Sequence, residues 1–350
     1  MKRRRPRVRA RTVPVEEAVG MVLPHDVTEI RPQEFKGPAF RKGQVIRPED
    51  VSYLKRLGKD HIYVLELEPD ELHEDEAALR LARAVAGEGV SFSEEVKEGK
   101  IIFTAAREGL FKVDTEALYR INLLGEIALT TRHGNFWVKK GEKLAGGRAI
   151  PLVVKSTLLE EVEKIAAESP GVLRVLPRKM ERAGLVITGN EVYYGRIKDA
   201  FAPVMIPKLE AYGLSVSDPV FVPDDRARIR EAIEGLLSEG ADLVLVTGGM
   251  SVDPEDVTRL AIADLGPDSL TYGAPVLPGN MFLVAYVGEK ALLGVPACGM
   301  YHGVTVLDLV LPRVLVGEVL TRKEIAALGH GGYCLHCQDC RFPICPFGRG

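Results

Sequence analysis

Three short apolar runs in the second half of the chain each end in a glycine-bearing loop. They are Leu185-Val-Ile-Thr-Gly-Asn-Glu191, Leu243-Val-Leu-Val-Thr-Gly-Gly-Met-Ser-Val252 and Ala291-Leu-Leu-Gly-Val-Pro-Ala-Cys-Gly299. Runs of this length without polar interruption predict fully buried strands. Helical patterns follow each loop. Ile229, Ala232, Ile233, Leu236 and Leu237 make one apolar stripe over Arg226–Ser238. Asp224 or Asp225 stands where the N-cap belongs, and Gly240 where the helix should stop. Residues 304–311 are nearly all apolar, and Pro312 is expected to close that segment. Strands alternating with helices over 173–320 predict an α/β domain with a mostly parallel sheet. In such a sheet the loops gather at the carboxyl edge, where ligands bind.

The first half reads as smaller, β-rich regions. Residues 13–66 form one small unit, with a turn into a strand at Arg41-Lys-Gly-Gln-Val-Ile46, helical spacing over 49–57 and a strand at His61-Ile-Tyr-Val-Leu65. Residues 66–78 are acidic and read as a linker or helix start. A second region, 79–172, has a helical stretch near 77–86 and strand-like runs at 100–105, 127–131 and 135–139. Lys139-Lys-Gly-Glu-Lys-Leu144 echoes the turn at 41–46, and Arg132-His-Gly-Asn135 reads as a polar turn.

Composition changes this picture in two places only. The 350 residues carry a net charge of -3, with 46% hydrophobic and 27% charged positions, which is ordinary for a globular protein and gives no global case for nucleic acid. The exception is a basic tail, 1–12, with Lys2, Arg3, Arg4, Arg5, Arg7, Arg9 and Arg11. It reads as a solvated tail, with an anion or RNA contact as the alternative. No apolar stretch reaches membrane-spanning length and no signal peptide is evident, so the expectation is a cytoplasmic protein. Four of the five cysteines fall in the tail 329–350. Cys334, Cys337, Cys340 and Cys345 read C-x2-C-x2-C-x4-C, followed by Pro346. Thiolates at this spacing can wrap one metal centre, either an iron–sulfur cluster or zinc, with an unliganded tail or opportunistic disulfides as the alternative. Gly329, Gly331 and Gly332 just upstream read as a hinge.

Glycines in the three loops permit positive φ and close approach of a ligand to backbone amides, and helix starts favour an anion such as phosphate. Acidic candidates nearby are Glu191, Asp199, Asp224, Asp225, Asp253, Glu255 and Asp256. Each could cap a helix or, with phosphate oxygens and water, hold Mg2+. Cys298 reads as a buried small residue.

Thr188-Gly-Asn-Glu191, Val222-Pro-Asp-Asp225, Thr247-Gly-Gly-Met-Ser-Val252 with Asp256, and Gly294-Val-Pro-Ala-Cys-Gly299 occur in an order that resembles the molybdopterin-binding domain of molybdenum cofactor biosynthesis proteins, the gephyrin-type molybdenum insertases and their single-domain relatives. The resemblance covers about 184–316, plus the opening Val15-Glu-Glu-Ala-Val-Gly-Met-Val-Leu23. It implies a three-layer α/β fold, binding of molybdopterin and its phosphate, Mg2+, and in the insertases transfer of molybdate onto adenylylated molybdopterin. By motif position, Glu191, Asp225 and Asp256 would be the catalytic acids. Thr188, Gly189, Asn190, Thr247, Gly248, Gly249, Ser251, Pro296 and Gly299 would line the cofactor. A homodimer and molybdoenzyme clients are implied as partners. The chain departs from the family at Asn190, which replaces an Asp; at Val276-Leu-Pro-Gly-Asn280, which lacks the lysines of Lys-Pro-Gly-Lys-Pro; and at Pro296-Ala-Cys-Gly299, which replaces Pro-Gly-Asn-Pro. The insertase motif Met-Asp-Gly-Tyr-Ala is replaced by the region around Glu34-Phe-Lys-Gly-Pro-Ala39. These losses leave two functions open, a molybdenumtransferase and a molybdopterin carrier, chaperone or sensor without chemistry. An α/β protein whose glycines serve only turns is the third.

Overall fold

The computed structural model describes residues 10–31, 34–65, 67–96, 99–251, 253 and 256–349. The basic residues Lys2 to Arg9, and also Val252 and Glu255, lie outside the described residues. The chain divides into two compact units. One comprises 1–106, 113–132 and 140–174; the other comprises 107–112, 133–139 and 175–350.

In the first unit, strand Ala10–Pro14 pairs antiparallel with His61–Leu65, and Val27–Arg31 with Phe35–Phe40. Val15, Leu23, Ile46 and Leu54 fill the core between them and helix Asp50–Arg56. A four-stranded antiparallel sheet runs in the order Val90–Phe92, Lys100–Ala105, Lys143–Ala149, Ile127–Thr131. Helix Glu74–Val85 lies on it through Ala77, Ala78, Leu81 and Val85. A Cβ on Gly147 would stand 2.9 Å from Leu81 Cδ2, so glycine is what lets the central strand meet the helix this closely. The acidic stretch 66–78 includes a short strand, Glu71–His73, before the helix begins. Gly43 and Gly141 both sit at positive φ, 81° and 86°, in the two echoed turns.

The second unit carries one mixed sheet, ordered Ser215–Val216, Arg182–Thr188, Leu243–Thr247, Lys290–Val295, Leu283–Val287, Ser269–Tyr272, with Val220–Val222 also paired to Arg182–Thr188. The first three long strands are parallel, in the register Ile187↔Thr247↔Val295. The last two strands turn antiparallel. Alternation sorts the buried side chains onto two faces. Leu185, Ile187, Leu243, Leu245, Leu293 and Val295 join Met205, Leu209 and Val310 from helices Ala202–Glu210 and Val306–Leu315. Val186, Val244, Val246 and Leu292 join Ile229, Ile233, Ala261 and Ile262 from helices Arg226–Ser238 and Thr258–Ala263. The result is the three-layer α/β fold, with helices on both faces of a sheet that is mostly parallel.

Two expectations are corrected. Pro312 does not end its helix; it lies inside Val306–Leu315, whose start is fixed instead by a capping box between Thr305 and Asp308. The glycines at 329–332 are not a free hinge. A Cβ on Gly332 would stand 2.4 Å from the Leu328 carbonyl oxygen and 2.7 Å from that of Pro275, so this turn is pressed against the domain. Beyond it, Phe347 is 3% exposed and belongs to the core. Among the described residues no helix is long and apolar enough to cross a membrane.

Candidate functional site

The register that aligns Ile187, Thr247 and Val295 sends all three glycine loops off the same sheet edge. The first two loops touch. Gly248 and Gly249 have φ of 87° and 57°, conformations that glycine tolerates without strain. A Cβ on Gly248 would stand 2.6 Å from the Thr188 carbonyl oxygen, and one on Gly249 would stand 2.4 Å from Thr258 Oγ1. Thr188, Thr247 and Thr258 are buried beneath this turn, and Thr188 and Thr258 bring their hydroxyls to 3.4 Å. These threonines support the turn from below.

The second and third loops open into one cavity of about 640 Å³. Gly248, Gly249, Met250 and Ser251 form one side, and Pro296, Ala297 and Cys298 another. The loop Leu277-Pro-Gly-Asn-Met281 and the residues His302, Tyr333 and His336 complete the lining. Among the described residues its carboxylates are Asp253 and Asp256, which are joined: Asp256 Oδ2 accepts the Asp253 backbone N–H at 3.2 Å. Among the described residues lining it there is no lysine or arginine. Burial pushes the Cys298 thiol above its ordinary range, so it stays protonated at neutral pH.

The acidic candidates separate by what they hold. Asp225 is the N-cap of Arg226–Ser238, accepting the Arg228 N–H at 2.9 Å. Asp199 accepts the N–H groups of Phe201 and Ala202 at the start of the next helix. Asp224 accepts the Asn190 N–H. Glu191 is exposed, and its carboxylate folds back towards Gly189. Asp256 does not cap the helix that follows, because Val257 occupies the cap position without a side-chain bond. Of the residues expected from sequence, Gly248, Gly249, Ser251, Asp256 and Pro296 line the cavity. Thr188, Gly189, Asn190, Glu191, Asp225 and Thr247 do not. Nor does Gly299, which is buried, with Val295 and Met205 in the space a Cβ would take.

Several lining residues carried no readable signal. Tyr333 is brought to the cavity by a bridge between Leu277 and Tyr333, and His302 lies just past the short helix Cys298–Tyr301 that follows the third loop. Cys334, Cys337, Cys340 and Cys345 are free thiols lining one smaller cavity of about 220 Å³. No three His, Cys, Asp or Glu side chains stand at metal-binding geometry among the described residues. The first unit has a polar cavity of its own, about 770 Å³, with His25, Asp26, Lys42, Glu74 and Asp75. Burial raises the Glu74 carboxyl against the opposing pull of Arg148. These residues are scattered in sequence, and no motif announced them.

Comparison with known proteins matches two segments to family models. Residues 184–315 match one described as a probable molybdopterin binding domain. Residues 12–66 match one described as a domain of unknown function (DUF8806). A molybdopterin molybdenumtransferase from Synechococcus elongatus is 27% identical over 164 residues, 45% of this chain and 40% of that protein. A CinA-like protein from Syntrophus aciditrophicus is 39% identical over 82 residues, 23% of this chain and 19% of that protein. The chain thus spans less than half the length of these curated relatives. Among solved structures, the molybdopterin biosynthesis enzyme MoaB from Thermus thermophilus is 22% identical with a TM-score of 0.35, covering 40% of this chain and 98% of that one.

Proposed function

We propose that residues 184–315, which match a probable molybdopterin binding domain, form a molybdopterin-binding domain of molybdenum cofactor biosynthesis, and that the cavity beside the Gly248–Gly249 turn receives molybdopterin. The observation that carries this is the union of that turn, the Pro296 loop and the Asp253–Asp256 pair in one cavity at the carboxyl edge of the sheet. Backbone amides of the glycine turn would take the pterin phosphate, since a tight turn presents N–H groups without side-chain obstruction. The cavity's mixed lining, with Met250, Leu277 and Met281 beside polar groups, suits a flat heterocycle.

The same site supports Mg2+-dependent insertion of molybdate into adenylylated molybdopterin. Asp253 and Asp256 would hold the ion, for Mg2+ takes one or two carboxylates and completes its shell with phosphate oxygens and water. Bound there, the ion would neutralise charge building on the phosphate. Asp225 and Glu191 would act from the neighbouring loops, Asp225 while also capping its helix. A carrier reading is favoured by one observation: the described cavity lining offers no lysine or arginine to an oxyanion. The four C-terminal thiols are assigned to an iron–sulfur cluster or zinc in either case. A homodimer that passes product to molybdoenzyme clients completes the proposal.

The test is purification without oxygen, with pterin fluorescence on the released ligand, then turnover of adenylylated molybdopterin with molybdate, with and without Mg2+. Pterin and Mg2+-dependent turnover that Asp256→Ala abolishes support the insertase. Tight pterin binding without turnover selects the carrier. A pure protein that takes up no pterin defeats both.

A further inference from the structure

We propose that the C-terminal thiol loop is one wall of the pterin cavity, and that a single metal centre held by Cys334, Cys337, Cys340 and Cys345 sets the shape of that wall. The inference rests on the molybdopterin reading for the pterin cavity only; the metal centre stands on the thiols alone.

All four thiols line the same small cavity, and none is in a disulfide. His336 has φ of 50°, which folds the link between Cys334 and Cys337 so that both meet that cavity. Thiolates are soft donors that select zinc or an iron–sulfur cluster. Metal binding would displace the thiol protons, and the bound cation would offset the thiolate charges it brings together. Arg341, which also lines the cavity, adds one positive charge. The loop must close further to ligate, since metal–thiolate bonds are about 2.3 Å long.

The thiol cavity and the pterin cavity share residues. His302, Tyr333 and His336 line both, and the two imidazoles lie with ring centroids 4.9 Å apart. The loop is fastened to the pterin side by backbone bonds. The Leu277 N–H donates to Gly332 and the Cys334 N–H donates to Leu277, each at 2.8 Å. Leu277 lies in the segment that stands in place of the family's lysine-bearing loop. Thus the residue after Tyr333 is a metal ligand in the proposal, while Tyr333 itself lines both cavities. Metal entry that draws Cys334 inward must move Tyr333 and His336 with it, because they are its near neighbours on one short segment.

The experiment uses the full chain purified without oxygen. Metal and acid-labile sulfide are measured on wild type, Cys337→Ser and Cys340→Ser; both thiols are exposed, so the fold should survive. Molybdopterin is then titrated by fluorescence into loaded and chelator-stripped wild type. The expected result is about one zinc without sulfide, or about four iron with about four sulfide, per chain, lost in each variant. Pterin affinity is expected to fall about tenfold or more on stripping. Equal metal in wild type and variants, or equal pterin affinity with and without metal, overturns the proposal. Metal lost in both variants with no pterin binding by any form overturns the coupling and the molybdopterin reading together, leaving a purely structural centre.

Discussion

Asp224 Oδ2 accepts the backbone N–H of Asn190 at 2.9 Å, and Asn190 Oδ1 in turn accepts the backbone N–H of Asp224 at 3.4 Å. The exchange clips the loop after Val220–Val222 to the loop after Arg182–Thr188. Asn190 therefore has work to do even though it lacks the charge expected at that position. Asp224→Ala would leave the half-buried Asn190 N–H without this acceptor, at a cost of about 1–3 kcal/mol. Urea denaturation should show that loss, with weaker pterin binding beside it. Unchanged midpoint and affinity would mean the clip is dispensable.

Asp225 permits a cleaner separation of structure from chemistry. Its cap bond to Arg228 survives in Asp225→Asn, since asparagine caps as well as aspartate, whereas Asp225→Ala should lose about 1 kcal/mol. If the carboxylate also serves turnover, Asp225→Asn should keep its thermal midpoint and lose activity. An asparagine variant as active as wild type would confine Asp225 to capping.

Two glycines should respond in opposite directions to alanine. Gly248→Ala places a Cβ against Thr188 at a φ of 87° and should destabilise by about 1–3 kcal/mol, with loss of pterin binding. Gly235 lies mid-helix with open space where a Cβ would go, so Gly235→Ala should gain about 0.5–1 kcal/mol. Calorimetry on both variants checks the pair.

Glu318 links acid stability to a half-buried ion triad. Burial alone would raise its carboxyl, but Lys112 at 2.6 Å and Arg313 at 2.7 Å hold it below the ordinary glutamate value of 4.5. A depressed carboxyl binds fewer protons folded than unfolded. Its stabilisation is therefore complete above the unfolded value and fades as pH falls through the lower folded one. Wild type should exceed Glu318→Gln in stability at neutral pH, and the gap should narrow below about pH 4.5. Urea midpoints at several pH values check this; a gap that stays constant would contradict it.

The α/β region was legible because its strands are uninterrupted apolar runs and helix Arg226–Ser238 shows its stripe in every turn. Its glycine loops were legible as loops, and their meeting at one edge followed from parallel connectivity. What each acid holds was not legible. Asp224 and Asp225 are adjacent, yet one clips a loop and the other caps a helix, a division set by tertiary partners. Tyr333 reaches the cavity through a bridge to Leu277, a distant segment. In the first half, helix Ser156–Ala167 shows its buried residues Leu159, Val162 and Ile165 at helical spacing, so that signal was present but not read. Pro312 misled because a proline is a strong stop only where the helix has nothing else to hold it, and here Leu309, Val310 and Leu315 are in the core.

The excursions 107–112 and 133–139 belong to the second unit although the chain around them builds the first. Phe136 meets Phe342, Trp137 meets Tyr212, and Lys112 reaches Glu318. Severing the polypeptide near residue 175 would therefore not liberate a self-sufficient fragment. The C-terminal piece would be missing a hairpin's worth of aromatic wedge and one cation, and anyone wishing to express it alone must graft both stretches back.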